Sequence, residues 1–195
     1  MTHDSYDDAY IRGILNTVKT IAMVGVSNKE SRPSYFAFKY LLERGYRMIP
    51  VNPGLAGGEL LGQKVYARLA DIPEPVDMVD VFRASPYAVG IVEEALALQP
   101  RPRVVWMQLG IRNEAAAALA EQNGLKVVMN RCPKIEYGRL SSEISWMGVN
   151  SRTLTAKRTK LSGRNVQRLS LDRVTTAGGA TTAADRAFRE DDAGQ

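Results

Sequence analysis

Gly25, Ser27, Lys29, Arg32 and Ser34 lie close together in "IAMVGVSNKESRPSY", residues 21–35. An apolar run ends at the glycine, a polar loop follows, and a helix is expected to begin near Ser34. Hydroxyls, cations and the free N–H groups of a helix start are what a phosphate accepts hydrogen bonds from. The letters exclude two common phosphate loops. A dinucleotide fingerprint needs glycines where Ser27 and Glu30 stand, and a Walker A loop needs Gly-Lys followed by Ser or Thr. The next apolar run also lacks the terminal acid that would bond a ribose diol, because Asn52 and Pro53 stand there. From spacing alone, two readings stay open: a ligand loop, or a plain connection with surface charges.

One thiol is available for nucleophilic work. Cys132 sits in "NRCPKIEY" between Arg131 and Lys134, cations that would lower its pKa. The alternative is an inert, packed cysteine, since free Cys is among the most buried residue types. The spacing of Glu136, Tyr137 and Glu143 marks no carboxylate pair, and no Cys–His cluster suggests a metal. Arg83 could reach a phosphate or carboxylate, or stay a surface cation. Trp106 and Met107 read as core.

The elements that must position these residues are legible as apolar runs. "TIAMVGV", "YRMIPV", "VDMVDVF", "RVVWMQL" and "LKVVMN" are short, rich in Val, Ile or Met, and do not alternate cleanly. Such runs suit strands covered on both faces, as in parallel sheets. Helical patterns are expected over 4–18, 34–45, 86–99 and 113–123, with Ser85 capping the third and Gly124 closing the fourth. Residues 54–69 are glycine-rich and predict a loop or small hairpin. The order predicts an α/β fold, doubly wound and Rossmann-like, with a mainly parallel five-stranded sheet and helices on both faces.

Composition bounds the function classes. Of the 26 basic and 21 acidic residues, 9 and 5 lie from Arg152 onward, so the excess positive charge belongs to the last segment. A nucleic-acid reading would rest on that segment alone and is not favoured. No apolar run approaches the length of a membrane span, and the acidic start lacks the pattern of a secretory signal. With a single cysteine as well, a cytoplasmic location is expected. Residues 159–195 read as a mobile, basic tail rich in Thr, Ala and Arg that could touch an acidic partner.

"GVSxxxxRPSY", "VNPG", "VFR", "WMQLG" and "NRCPKIEY" fall in this order at the ends of successive strand runs. Together they resemble the small stand-alone CoA-binding proteins, similar to the CoA-binding domain of the succinyl-CoA synthetase α-subunit. The resemblance covers roughly residues 8–158. It implies one domain over 1–158, with 1–18 as its opening helix, that binds CoA or an acyl-CoA. It also implies site residues. Gly25, Val26 and Ser27 would form the turn, and Arg32, Pro33 and Ser34 the phosphate-facing helix start. Asn52, Pro53, Phe82 and Arg83 would border the nucleotide, and Gln108, Leu109 and Gly110 the pantetheine arm. An acid at the second strand end would repel the 3′-phosphate of CoA, and Asn52 does not. The synthetase works through a phosphorylated histidine in a later domain. The one histidine here is His3, expected in a mobile N-terminus, so ligase chemistry is not implied. A binding module is therefore the leading expectation. The alternatives are a CoA-dependent acyl or thiol transferase using Cys132, or a nucleotide-bound regulatory protein displaying its tail.

Overall fold

The computed structural model describes residues 3–141; the basic tail and its boundary at residue 158 lie outside them. Five strands form one parallel sheet: β1 (Thr20–Val24), β2 (Arg47–Val51), β5 (Met78–Val81), β6 (Val104–Met107) and β7 (Lys126–Val128). Their order is β2-β1-β5-β6-β7. Between β2 and β5 the chain forms a small antiparallel hairpin, β3 (Glu59–Leu60) with β4 (Gln63–Lys64). It then crosses to the other side of β1. The strand order thus reverses between β1 and β5, where open sheets of this kind bind ligands beyond the strand C-termini.

The apolar runs form strands because both faces are covered. Ile21, Met23, Met78, Trp106 and Val128 face a layer built with α1 (Asp8–Thr17), α2 (Pro33–Glu43) and α5 (Pro133–Leu140). Ala22, Val79, Val81, Val105, Met107 and Val127 face α3 (Ala88–Ala97) and α4 (Glu114–Gln122). Register alternates the two sets across the sheet, for example Ala22 with Val79, and Met23 with Asp80, which pairs in turn with Trp106. Burying each large side chain of this kind contributes about 1.5–3 kcal/mol.

Two local expectations change. The third helix does not begin at Ser85. Residues Ser85–Tyr87 form a 3-10 turn, and the α-helix starts at Ala88. Ser85 is used elsewhere: its hydroxyl accepts from the Arg112 N–H and its carbonyl from Asn113 Nδ2. The opening helix begins at Asp8, and the residues before it form an ordered arm. His3 is buried, with Nδ1 2.9 Å from the Tyr6 hydroxyl and Nε2 3.4 Å from Glu121. Arg112 donates to the His3 carbonyl, and Arg131 to that of Asp4.

The arm is ordered because β7 is an edge strand with unpaired backbone groups. The Met129 N–H donates to the Tyr6 hydroxyl at 2.7 Å, and the Tyr10 hydroxyl donates to the Val127 carbonyl at 3.2 Å. His3 Nδ1 lies within hydrogen-bond reach of the same Tyr6 hydroxyl, so one phenol links the arm to both His3 and the β7 edge. Tyr6→Phe removes the acceptor of the Met129 N–H. It should lower stability by about 1–2 kcal/mol in urea titration and speed hydrogen exchange at Met129. Unchanged exchange there would show that the arm does not protect the edge.

Candidate functional site

The parallel strands bring the ends of β1, β2, β5 and β6 to one edge of the sheet, and with them every site residue expected from sequence. Three of the four strand ends are tied together directly. Asn52 Nδ2 donates to the Val26 carbonyl at 2.7 Å, while its Oδ1 accepts from the Gly54 N–H at 2.9 Å. Asn52 therefore clamps the β1 and β2 loops to each other. Pro53 opens a short 3-10 turn and is exposed. Gly25 leaves β1 at φ +88°, and a Cβ there would lie 2.9 Å from the Arg83 Cδ. The Arg83 stem thus lies across the bare glycine, and its guanidinium stacks 4.8 Å from the Tyr87 ring.

The loop after Gly25 is held by its own hydroxyls. The Ser34 hydroxyl accepts from the Ser27 N–H, and the Ser27 hydroxyl accepts from the Lys29 N–H, each at 3.1 Å. Both oxygens act as acceptors, so both hydroxyl hydrogens stay available to a ligand. Pro33 occupies the first turn of α2, which has no side-chain cap. Pro33 has no N–H and the Tyr35 N–H bonds to the Arg32 carbonyl at 3.1 Å, so this start offers the Ser34 N–H and the positive end of the helix dipole. Val26 is fully buried beneath this loop. Lys29, Arg32 and Arg83 are exposed, and none pairs with a carboxylate among the described residues. Glu30, the acid within the loop, accepts from the Tyr35 hydroxyl.

The end of β6 behaves differently. Leu109 and Phe82 pack half-buried against the α1–α2–α5 layer. The Gly110 N–H is already taken by Asn130 Oδ1 at 2.8 Å, which turns this glycine toward the β7 side. Gln108 is buried, and its Nε2 lies 3.0 Å from both carboxyl oxygens of Asp80. Asp80, in the middle of the central strand, is fully buried. Burial pushes its pKa up to about 8, against the pull of the Gln108 amide, so the acid is mostly neutral at pH 7. The sequence signal was an acid inside an otherwise apolar strand run.

Cys132 fits the packed, inert alternative of the two readings. It caps α5 and is buried in the same layer as Met23 and Trp106. Burial raises its pKa to about 11, outweighing the nearby Ile135 and Lys134 backbone N–H groups. The flanking cations do little, because Arg131 turns to Glu136 and Tyr6, and Lys134 Nζ lies between the Phe36 and Tyr40 rings. The thiol is therefore protonated at neutral pH, contrary to what a nucleophile needs. Among the described residues no cluster of His, Cys, Asp or Glu could hold a metal, and no helix is long and apolar enough to cross a membrane.

Residues 19–138 match the family model described as a CoA binding domain. A Bacillus subtilis protein, YneT, is 38% identical over 129 residues, 66% of this chain and 93% of that protein. A solved structure from Thermus thermophilus is 41% identical and superposes with a TM-score of 0.65, covering 69% of this chain and 99% of the other. The α-subunit of an ADP-forming acetate–CoA ligase from Pyrococcus furiosus is 34% identical over 82 residues, which span 17% of its length.

Gly25→Ala should cost about 1–3 kcal/mol, because the added Cβ meets both a strained φ and the Arg83 stem. In a double-mutant cycle, Arg83→Ala should recover only the contact part; full recovery would show that φ is no constraint. Asp80 makes stability depend on pH. Its folded pKa lies above the unfolded value, so its contribution is complete below about pH 4 and falls until about pH 8. Asp80→Asn should remove a slope of up to about 1.4 kcal/mol per pH unit in urea titrations across that window. Parallel pH profiles for the two proteins would contradict the neutral acid.

Proposed function

The chain belongs to the family of CoA binding domains, and from that premise we propose that it binds CoA or an acyl-CoA at the carboxyl ends of its parallel strands, as a binding module. One observation carries the reading. Lys29, Arg32 and Arg83 stand exposed around the β1–α2 loop without acidic partners among the described residues. A polyanion with several phosphates is the ligand chemistry that such a set accepts.

The residues present fit CoA. Its phosphates need N–H donors, hydroxyl hydrogens and cations, and the uncapped start of α2, Ser27, Ser34, Arg32 and Lys29 supply them. The 3′-phosphate needs the second strand to end without an acid, and Asn52 ends it while holding the Val26 loop in place. Gly25 gives the left-handed turn and the room that seats the Arg83 stem, with Val26, Pro33 and Pro53 shaping the loop. Phe82 and Arg83 border the nucleotide. Gln108, Leu109 and Gly110 flank the pantetheine side. CoA supplies a thiol, and this chain's residues bind and orient it.

Ligase chemistry is not part of this reading. The single histidine is buried between Tyr6 and Glu121 in the N-terminal arm, unlike an exposed phosphoryl acceptor. Catalysis through Cys132 is not favoured either, since its thiol is buried and protonated.

Calorimetric titration of the folded, ligand-free protein should show binding of CoA that is tighter than binding of dephospho-CoA or NAD. Arg32→Ala should weaken the CoA preference by about tenfold, as loss of a charge-assisted hydrogen bond does. Absence of heat with CoA, confirmed by equilibrium dialysis, would sink the proposal.

A further inference from the structure

One buried acid lies beneath the site without contributing a donor to it. Asp80 is on the central strand β5, two residues before Phe82, and its side chain is on the α1–α2–α5 side, in register with Met23 on β1 and Trp106 on β6. It is 0% exposed, and among the described residues its one hydrogen-bonded side-chain partner is the neutral amide of Gln108, forked to both oxygens. Among the described residues no cation compensates a carboxylate there. A negative charge at this point would be desolvated and would stand one residue before the end of β5, the strand whose end borders the proposed site.

Few other charges reach this position. From the start of α5 come Cys132, which feels the Asp80 charge, and Lys134 beside it. Glu136 is paired with Arg139, which also holds Asp8 of α1. The start of α2 contributes Tyr35, bonded to Glu30, with Arg32 exposed ahead of it. Arg83 lies beyond the end of β5 itself and stacks on Tyr87. β1 and β6 bring the uncharged Met23, Trp106 and Gln108. None of these neutralises a charged Asp80.

We propose that the protonation state of Asp80 regulates the affinity of the site for its anionic ligand: the neutral acid admits the ligand, and the carboxylate repels it from below. The inference rests on the CoA reading above. By linkage, the ligand in turn holds the proton on Asp80. Burial sets the acid to titrate near pH 8, so the response falls just above neutrality.

The test is calorimetric titration with CoA between about pH 7 and pH 9. The wild-type affinity should fall by at least about threefold more than that of Asp80→Asn, because ionisation of CoA itself is common to both. Equal pH profiles would overturn the proposal while leaving CoA binding intact. A second measurement needs no variant. The infrared carbonyl band of the neutral acid should vanish at higher pH with saturating CoA than without it, and an unshifted midpoint would also overturn the proposal. If CoA fails to bind at any pH, the underlying reading falls first and this inference with it.

Discussion

Burial of the parallel sheet on both faces is the constraint on which the rest depends. With α1, α2 and α5 on one side and α3 and α4 on the other, the strand interiors must be apolar. Polar chemistry is left to the strand ends and the chain's own edges. The strand order reverses between β1 and β5, the place where open sheets of this kind bind ligands. The clamp of Asn52 on Val26 and the stem of Arg83 across Gly25 hold the loops at that point without using the hydroxyl hydrogens of Ser27 and Ser34.

Much of this was legible as text, for a physical reason. Strands covered on both sides read as unbroken apolar runs, and all five runs became the five strands. The residues after them had to share one edge because parallel strands end together. The glycine-rich segment after Asn52, which reads as a loop or small hairpin, forms the hairpin. What escaped was structure made by side chains meeting backbone far along the chain. Tyr6 reaches Met129 and Tyr10 reaches Val127, and no periodicity records such pairs. Ser85 looked like a helix cap, but the loop before α4 uses both its hydroxyl and its carbonyl. Of the two readings of Cys132, the activated thiol rested on counting sequence neighbours as spatial ones, whereas the Arg131 guanidinium serves Glu136 and the N-terminal arm.

The two aspartates of "VDMVDVF" show why residue type does not fix electrostatic role. Asp77 precedes β5 at the N-terminal edge. Burial pushes its pKa up, but N–H groups of Lys19 and Thr20 and the Arg103 guanidinium outweigh that and hold it below the usual carboxylate value. Three positions on, Asp80 has one amide and no solvent, and burial wins. The difference is one of supply. A strand's entry edge exposes backbone N–H groups and surface arginines, whereas its interior offers only what adjacent strands carry, here Met23 and Trp106.

Supply of partners also governs the cation-rich edge around the β1–α2 loop. Three unpaired cations around one loop repel each other and would gain from an anion. Arg83 is nevertheless held by stacking on Tyr87, which does not consume its charge. The hydroxyls of Ser27 and Ser34 follow the same rule, accepting from the backbone and keeping their hydrogens. Asp80 follows the same rule: a neutral acid bonded to Gln108 in the central strand does not cancel the positive charge of the edge. A carboxylate in its place would weaken that field from within the sheet, where solvent cannot screen it. The burial that makes the sheet stable thus also keeps the edge electropositive.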